Sequence, residues 1–244
     1  MSTIFSKTGL ATCCLLALST VSNAQGTRAA CTDDAMLVFD GSGSMSAVAH
    51  NGLKSPRILE ARTAIRNSIP NIAPFRRLGL VIFGPGAEDS CSNIDLRFTP
   101  QSNAAPRIIS DVDNLSPVGE TPLTDAVQEA VDTLGLGNDP GVVVLLTDGR
   151  ESCGGDPCAL ANRLAADGRV TVHVIGFKVR EQYFQWNGHG AKNGRTIARC
   201  LADQTGGKYV SAESTQELTE ALQETLACPM TARRAGQTRG ETPG

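Results

Sequence analysis

The sequence predicts a doubly wound α/β fold, with a mostly parallel six-stranded sheet, one antiparallel edge strand and helices on both faces. Three observations predict it: apolar segments of strand length, helical spacing of apolar residues between them, and one segment that alternates apolar with polar residues. The chain has 244 residues, 41% of them hydrophobic, and a formal net charge of only -3. It can therefore bury one sizeable core, and a single domain is expected.

Four segments rich in β-branched residues are expected to form buried strands. They are residues 35–39, 78–83, 142–147 and 170–177. Their nearly continuous apolar character is typical of parallel strands covered on both faces by helices. Residues 93–98 alternate apolar with polar and follow the second strand after a short loop, which predicts an antiparallel edge hairpin. A last short strand is expected at residues 208–210, after a Thr-Gly-Gly turn.

Helical stretches lie between these strands. Residues 56–69 and 123–134 carry apolar side chains at helical spacing, and residues 159–166 follow Pro157. Residues 215–227 predict a final helix that closes the domain. Alternation of strands and helices of this kind is typical of a doubly wound α/β fold.

The amino-terminal residues 1–24 predict a secretory signal peptide. Lys7 lies in a short polar start, residues 10–21 are apolar, and Ser22-Asn23-Ala24 is a small-residue cleavage site. The apolar stretch is shorter than the roughly 20 residues that span a bilayer, and no later segment could span one. We therefore expect a secreted or periplasmic protein. Residues 229–244, rich in Arg, Gly, Thr and Pro, predict a disordered tail.

The cysteine count favours disulfide bonds. Of eight cysteines, two lie within the predicted signal peptide, and six remain: Cys31, Cys91, Cys153, Cys158, Cys200 and Cys228. An even number in an exported chain indicates disulfides, although six cysteines permit fifteen pairings. Cys153 and Cys158 enclose a short turn, and we predict a local bridge between them. Metal ligation by these two thiols is disfavoured because no second matched pair lies nearby.

Polar residues at the ends of predicted strands indicate a metal site. Asp40-Gly41-Ser42-Gly43-Ser44 follows the first strand, Thr121 introduces a helix, and Asp148 follows the strand at residues 142–147. Ligands bind open parallel sheets at the carboxyl ends of the strands, where the strand order reverses. Each motif alone is an ordinary turn signal, and Thr121 before Pro122 is also a good helix N-cap. Their joint placement favours a cage of oxygen ligands for magnesium.

These motifs resemble those of the von Willebrand factor type A family, which has a Rossmann-like fold and a metal-ion-dependent adhesion site. That site combines an Asp-x-Ser-x-Ser run with a later Thr and a later Asp. All its positions have counterparts here: Asp40, Ser42, Ser44, Thr121 and Asp148. The resemblance covers residues 31–228, which we take as the domain.

The resemblance also implies how such a site works. Ser42, Ser44 and, in the ligand-engaged state, Thr121 would contact Mg²⁺ or Mn²⁺ directly, while Asp40 and Asp148 would act largely through water. An Asp or Glu of a protein partner would complete the coordination. In the family, movement of the last helix, here residues 215–227, can couple to opening of the site.

The resemblance further implies a disulfide between the chain ends. The ends of the family's domain lie close together, so Cys31 and Cys228 would form a clasp at its base. Together with the local bridge, this leaves Cys91 to pair with Cys200. The family fold places those two residues near opposite edges of the sheet, so this set of pairings contains a conflict.

Other functions are less well supported by the sequence. No Lys/Arg-rich block offers a surface for nucleic acid. A serine hydrolase would need a Gly-x-Ser-x-Gly elbow and an activating histidine, whereas His173 lies in an apolar strand and His50 and His189 lie in polar loops. No Gly-x-x-x-x-Gly-Lys-Ser/Thr phosphate loop is present.

Two alternatives stay open. A magnesium-dependent phosphohydrolase could use Asp40 as its nucleophile, although the enzymes of that kind that we considered, the haloacid dehalogenase-like family, carry a second Asp where Ser42 stands. A structural or interaction module could carry an unloaded metal site. We expect a binding module that is not an enzyme, with oligomeric state left undetermined.

Overall fold

The fold is a mixed sheet between two layers of helices. The computed structural model describes residues 31, 33–48, 55–86, 90–135, 139–179 and 198–228. The strands within them are β1 Asp34–Asp40, β2 Leu78–Phe83, β3 Ile94–Gln101, β4 Gly141–Thr147, β5 Val170–Phe177 and β6 Tyr209–Ala212. The α-helices are α1 Arg57–Ser68, α2 Ala105–Asp113, α3 Leu123–Leu134, α4 Pro157–Asp167, α5 Arg199–Thr205 and α6 Thr215–Leu226.

The strand order is β3-β2-β1-β4-β5-β6, and every neighbouring pair is parallel except β2 with β3. This confirms the predicted fold, including the antiparallel edge strand. Within the described ranges the prediction missed two helices, α2 and α5. The edge strand also runs to Gln101, three residues beyond its predicted end.

The core lies on both faces of the sheet, because alternate residues of the central strands point to opposite sides. Ala35, Leu37 and Phe39 of β1 pack in one buried cluster with α1 and α6. Met36 and Val38 pack in the other cluster with α3, α4 and α5. Burial on both faces explains why the strand sequences are almost continuously apolar.

The disulfide pattern corrects one prediction. Cys31 pairs with Cys228 as expected, but the local Cys153–Cys158 bridge is wrong: Cys153 pairs with Cys91, and Cys158 with Cys200.

The reason for the different pairing lies in the helix start at Pro157. Cys158 lies in the first turn of α4 and meets Cys200 in the first turn of α5, with the two Cα atoms 5.3 Å apart. Cys153 precedes that turn and meets the loop between β2 and β3, with its Cα 5.5 Å from that of Cys91. Tertiary packing therefore decides the pairing, and the conflict between Cys91 and Cys200 disappears.

Two predicted segments, the signal peptide at residues 1–24 and the tail at residues 229–244, lie outside the described residues. Within the part of the chain that the structure covers, none of the helices combines the length and apolar character needed to cross a membrane.

Candidate metal site

The candidate site lies at the carboxyl end of the sheet, where the strand order reverses. Asp40 is the last residue of β1, and Asp148 directly follows β4, the strand that pairs with β1 on the side away from β2. Ser42 and Ser44 lie in the turn and short 3-10 helix that follow β1. The topology thus brings together residues that are far apart in sequence.

Hydrogen bonds link the first motif to Asp148. The backbone N–H of Ser42 donates to Asp40 Oδ1 at 2.9 Å. The Ser42 and Ser44 hydroxyl oxygens lie 3.0 Å apart, and Ser44 Oγ donates to Asp148 Oδ1 at 2.5 Å. The two carboxylates therefore lie at either end of one hydrogen-bonded group.

Thr121 is not the N-cap of α3, which was the simpler interpretation of its position. The helix begins at Leu123, and its cap comes from another loop: Glu151 Oε2 accepts from the N–H of Thr124 at 2.8 Å and from its hydroxyl at 2.7 Å. The cap of α3 therefore does not account for the Thr121 side chain.

The backbone of Gly149 lies beside three oxygen atoms, which come from the end of β1, the 3-10 helix after β1 and the loop before α3. A Cβ atom on Gly149 would be 3.5 Å from Ser44 Oγ, 3.8 Å from Thr121 Oγ1 and 3.9 Å from Asp40 Oδ2. A side chain here would occupy the space that these oxygens line, and glycine leaves it open. All five predicted ligand residues thus meet at one edge of the sheet, and their binding of a metal stays a prediction.

Burial perturbs both carboxylates. Asp40 is fully buried, and desolvation, with the charge of Asp148 as the next cause, raises the pKa of Asp40 to about 7. Hydrogen bonds from Ser42 and Thr147 partly oppose this rise. Desolvation also raises the pKa of Asp148, against the opposing effects of Ser44 and Arg57. Two carboxylates buried together favour a nearby cation.

Two residues in contact with the carboxylates were not predicted. Thr147 Oγ1 donates to Asp40 Oδ2 at 2.6 Å, and Arg57 Nη1 donates to Asp148 Oδ2 at 2.6 Å. Thr147 carries no sequence signal beyond its place before Asp148. Arg57 does carry a sequence signal. A cation in the first turn of a helix interacts unfavourably with the helix dipole, so its presence there indicates a favourable contact elsewhere.

The loops that carry Thr121 and Asp148 are joined at the rim of the site. The Thr121 N–H donates to Ser152 Oγ at 2.8 Å, and the Ser152 N–H donates back to the Thr121 carbonyl at 3.1 Å. Glu151 Oε1 also accepts from the Cys153 N–H at 2.9 Å, and Cys153 is bonded to Cys91. The rim is therefore a cross-linked unit rather than a set of independent loops.

The donor set suits a hard cation. The site offers hydroxyl and carboxylate oxygens, the ligands that Mg²⁺ and similar ions accept. Throughout the described ranges there is no group of three or more His, Cys, Asp or Glu side chains that could hold a metal ion. The oxygen atoms of the candidate site are of the chemical kind that such an ion accepts, and its binding stays a prediction.

His173, the histidine that lies within the described residues, does not contribute to this site. His173 Nδ1 accepts from the backbone N–H of Lys208 at 3.0 Å. Burial, followed by the charges of Lys208 and Arg76, lowers the pKa of His173 to about 4. His173 is thus a satisfied structural residue, as expected, and His50 and His189 lie outside the described residues.

The fold and the site together define the class of protein. It is a doubly wound α/β domain with polar motifs at the point where the strand order reverses. The chain belongs to the von Willebrand factor type A domain family, which it matches over residues 34–224. It is also 30% identical over 201 residues to the uncharacterized protein YwmC of Bacillus subtilis (strain 168), covering 79% of this chain and 82% of YwmC.

Solved structures share the fold at low sequence identity. The pilus adhesin SpaC of Lactobacillus rhamnosus GG has a TM-score of 0.58 and 18% identity, over 82% of this chain and 30% of SpaC. Proximal thread matrix protein 1 of the mussel byssus, with a zinc-occupied MIDAS motif, has a TM-score of 0.50 and 18% identity, over 80% of this chain and 44% of that protein. The present chain therefore spans less than half the length of either protein.

Proposed function

We propose that this protein is an exported, non-catalytic adhesion or interaction module that binds a protein partner through a divalent metal ion. Asp40, Ser42, Ser44, Thr121 and Asp148 would hold Mg²⁺ or Mn²⁺. The bound ion supplies an electrophilic coordination position that an Asp or Glu carboxylate of the partner completes. The observation that carries this proposal is the convergence beside Gly149 of oxygens from Asp40 and Ser44, at and after the end of β1, and from Thr121 in the loop before α3.

In this proposal, some residues of the site coordinate the ion and others supply negative charge. The hydroxyls of Ser42, Ser44 and Thr121 are neutral ligands, so they leave the ion's charge largely uncompensated. Asp40 and Asp148 carry the negative charge, and protein groups already orient both of them. Preorganised ligands lower the cost of ordering the site when a cation and a partner bind.

The family relationship supports an interaction role. SpaC is a pilus adhesin, and the byssus protein has zinc in a MIDAS motif, the metal-ion-dependent adhesion site that the present motifs resemble. We extend these properties to the present chain as part of the proposal. Three disulfides support export, because such bonds persist in oxidising compartments.

The environment of Asp40 argues against its use as a phosphohydrolase nucleophile. Its side chain is fully buried, and both of its oxygens accept hydrogen bonds, from the Ser42 N–H and from the Thr147 hydroxyl. A nucleophilic carboxylate needs an oxygen that can reach substrate. We infer that Asp40 instead orients neighbouring groups and supplies charge.

Titration calorimetry tests the metal site. Mg²⁺ is titrated into chelator-stripped parent protein and into the double variant Ser42→Ala/Asp148→Asn, which we expect to lose binding at least tenfold. The matched control is Ser46→Ala/Asp113→Asn. Ser46 lies in the 3-10 helix Gly43–Ser46, which directly follows Ser42. Asp113, like Asp148, pairs with an arginine of α1, in its case Arg66. Both control residues lie outside the ligand set.

The control is expected to bind Mg²⁺ like the parent. Equal binding by parent and Ser42→Ala/Asp148→Asn would contradict the assigned ligands. Absence of binding to the parent, with Mn²⁺ as well as Mg²⁺, would favour the alternative of a structural module with an unloaded site.

A further inference from the structure

Arg57 places a fixed positive charge at the candidate metal site. Its Nη1 atom lies 2.6 Å from Asp148 Oδ2, and the side chains of Arg57 and Asp148 are 18% and 0% exposed. Arg57 is also the first residue of α1, where positive charge opposes the helix dipole. Its position is therefore explained by the carboxylate and not by the helix.

The protein holds this guanidinium in place. Arg57 Nη2 donates to the Lys178 carbonyl at 3.4 Å, and the Arg57 backbone N–H donates to the Ala47 carbonyl at 3.1 Å. The Nε atom is buried and has no hydrogen-bond partner among the described residues. A buried, unsatisfied N–H is costly, so the contact with Asp148 has to offset that cost.

The charges at the site set what it can bind. With Asp40 and Asp148 ionised and Arg57 protonated, these groups carry a net charge of -1. A bound divalent ion would reverse the sign of the net charge. The loaded site would then attract an anionic group. The ion and Arg57, both positively charged and both close to Asp148, would repel each other.

We propose that Arg57 is a tethered counter-cation of the metal site, which weakens divalent-ion binding and keeps the loaded site positively charged for an anionic partner group. This inference rests on the proposed function. Without the ion, Arg57 compensates the buried charge of Asp148. With it, two cations share that carboxylate.

The expected size of the effect follows from Coulomb's law. A divalent and a univalent cation roughly 6 Å apart repel each other strongly enough to raise the Kd for the divalent ion about tenfold, even at the dielectric constant of water. The effect is larger in a partly buried site. Neutralising Arg57 also leaves the Asp148 charge without its partner in the metal-free protein. Both effects tighten metal binding.

The experiment compares the Mg²⁺ affinity of four variants with that of the parent by titration calorimetry. Arg57→Met and Arg57→Gln remove the charge and are expected to lower the Kd for Mg²⁺ about tenfold. Arg57→Lys keeps the charge and is expected to restore a Kd within about threefold of the parent. Arg66→Met removes an exposed ion pair from the same helix and is expected to change nothing.

Thermal unfolding separates this role from a merely structural one. A structural role lowers the Tm of Arg57→Met equally with and without Mg²⁺, whereas the proposal expects the loss to shrink at saturating Mg²⁺. If Arg57→Met does not fold, Arg57→Gln, which keeps a hydrogen-bond donor, carries both measurements.

The outcomes distinguish this inference from the proposed function. A parent that binds Mg²⁺ while both neutral variants bind it equally or more weakly would overturn the inference and leave the metal site standing. A parent and variants that all fail to bind Mg²⁺ and Mn²⁺ would overturn both.

Discussion

The most unusual residues of this protein are two carboxylates buried next to each other. Asp40 and Asp148 come from neighbouring strands and are almost completely shielded from water. A solvent-filled cleft would let both groups ionise freely, whereas burial penalises their charged forms. The metal-free protein therefore carries electrostatic strain at this position, and the strain depends on pH.

We expect the stability of the metal-free protein to reflect the ionisation of Asp40. Its pKa in the folded protein is raised from the ordinary 3.8 to about 7. The contribution of Asp40 to stability is therefore complete below pH 3.8 and is lost as the pH rises through about 7. As the pH rises across this window, the free energy of unfolding of Asp40→Asn should increase relative to that of the parent by up to about 4 kcal/mol. Urea unfolding with chelator present measures this difference.

The comparison with Asp40→Asn reports the ionisation of Asp40 together with its interaction with Asp148. The titration of His173, whose lowered pKa reduces stability as the pH falls from 6.5 towards 4, is common to both proteins and cancels in the difference. Asp132→Asn, which removes an exposed carboxylate on α3 outside the candidate site, is the control. A pH-independent difference for Asp40→Asn would contradict the expected strain.

At the level of secondary-structure elements, the loops around the site act as one unit. Glu151, in the loop after β4, caps α3 through Thr124 and holds the Cys153 backbone. Ser152 pairs with the backbone of Thr121 in both directions. The position of Thr121 is therefore set by the loop that carries Asp148 and not only by its own helix.

We expect Glu151→Ala to weaken both folding and metal binding. It removes three hydrogen bonds to a buried carboxylate, which should lower the free energy of unfolding by about 2–4 kcal/mol. Loss of these bonds loosens the start of α3, which follows Thr121, and the turn whose Ser152 bonds the Thr121 backbone. Mg²⁺ binding should therefore weaken about tenfold, measured by titration calorimetry, because Thr121 is less well preorganised.

Asp156→Ala is the matched control for Glu151→Ala. Asp156 caps α4 through the N–H groups of Cys158 and Ala159. Its replacement should cost about 1 kcal/mol of stability. Because Asp156 caps α4 and not α3, the helix that follows Thr121, the Mg²⁺ affinity should not change. If Glu151→Ala bound Mg²⁺ as tightly as Asp156→Ala, the coupling between the two loops would be refuted.

Sequence reasoning placed the strands, and brought the residues proposed as ligands to one edge of the sheet, for one physical reason. In a parallel sheet, a polar residue at the end of a strand lies beside those at the ends of neighbouring strands, so chain position gives spatial position. Asp40 and Asp148 could be placed together in this way. Arg57 and Glu151 could not, because their contacts depend on side chains that reach across from other elements.

The wrong cysteine pairing has a related cause. A short loop is cheap to close, so proximity in sequence favoured Cys153 with Cys158. The start of α4 between them instead leaves Cys158 facing α5 and Cys153 facing the hairpin loop. The packing of helices and loops that decides this is not contained in residue spacing.

In the molecule as a whole, the two ends of the domain are fastened together at the base of the sheet. Cys31 and Cys228 are bonded, and Arg76 bridges the same region by donating to the Leu226 carbonyl at 2.9 Å and to the Asp33 carboxylate at 2.5 Å. The carboxyl end of α6 is therefore anchored both covalently and by hydrogen bonds.

A continuous series of polar contacts connects the other end of α6 to the metal site. Thr215, the first residue of α6, donates to Glu60 at 3.3 Å, and Glu60 forms a buried ion pair with Lys178. The Lys178 carbonyl accepts from Arg57, which pairs with Asp148. Displacement of α6 would thus disturb a contact to the candidate metal site.

We expect the base clasp to influence the metal site by restraining α6. Cys31→Ser/Cys228→Ser should lower the free energy of unfolding by about 2–5 kcal/mol and change the Mg²⁺ affinity at least threefold, measured by chemical unfolding and titration calorimetry. The matched control is Cys158→Ser/Cys200→Ser, which removes the bond between α4 and α5 on the opposite face of the sheet. It should reduce stability and leave the Mg²⁺ affinity unchanged, because α6 and the contacts from Thr215 to Asp148 are untouched. Equal Mg²⁺ affinities in both double variants and the parent would mean that the clasp stabilises the fold without restraining the site.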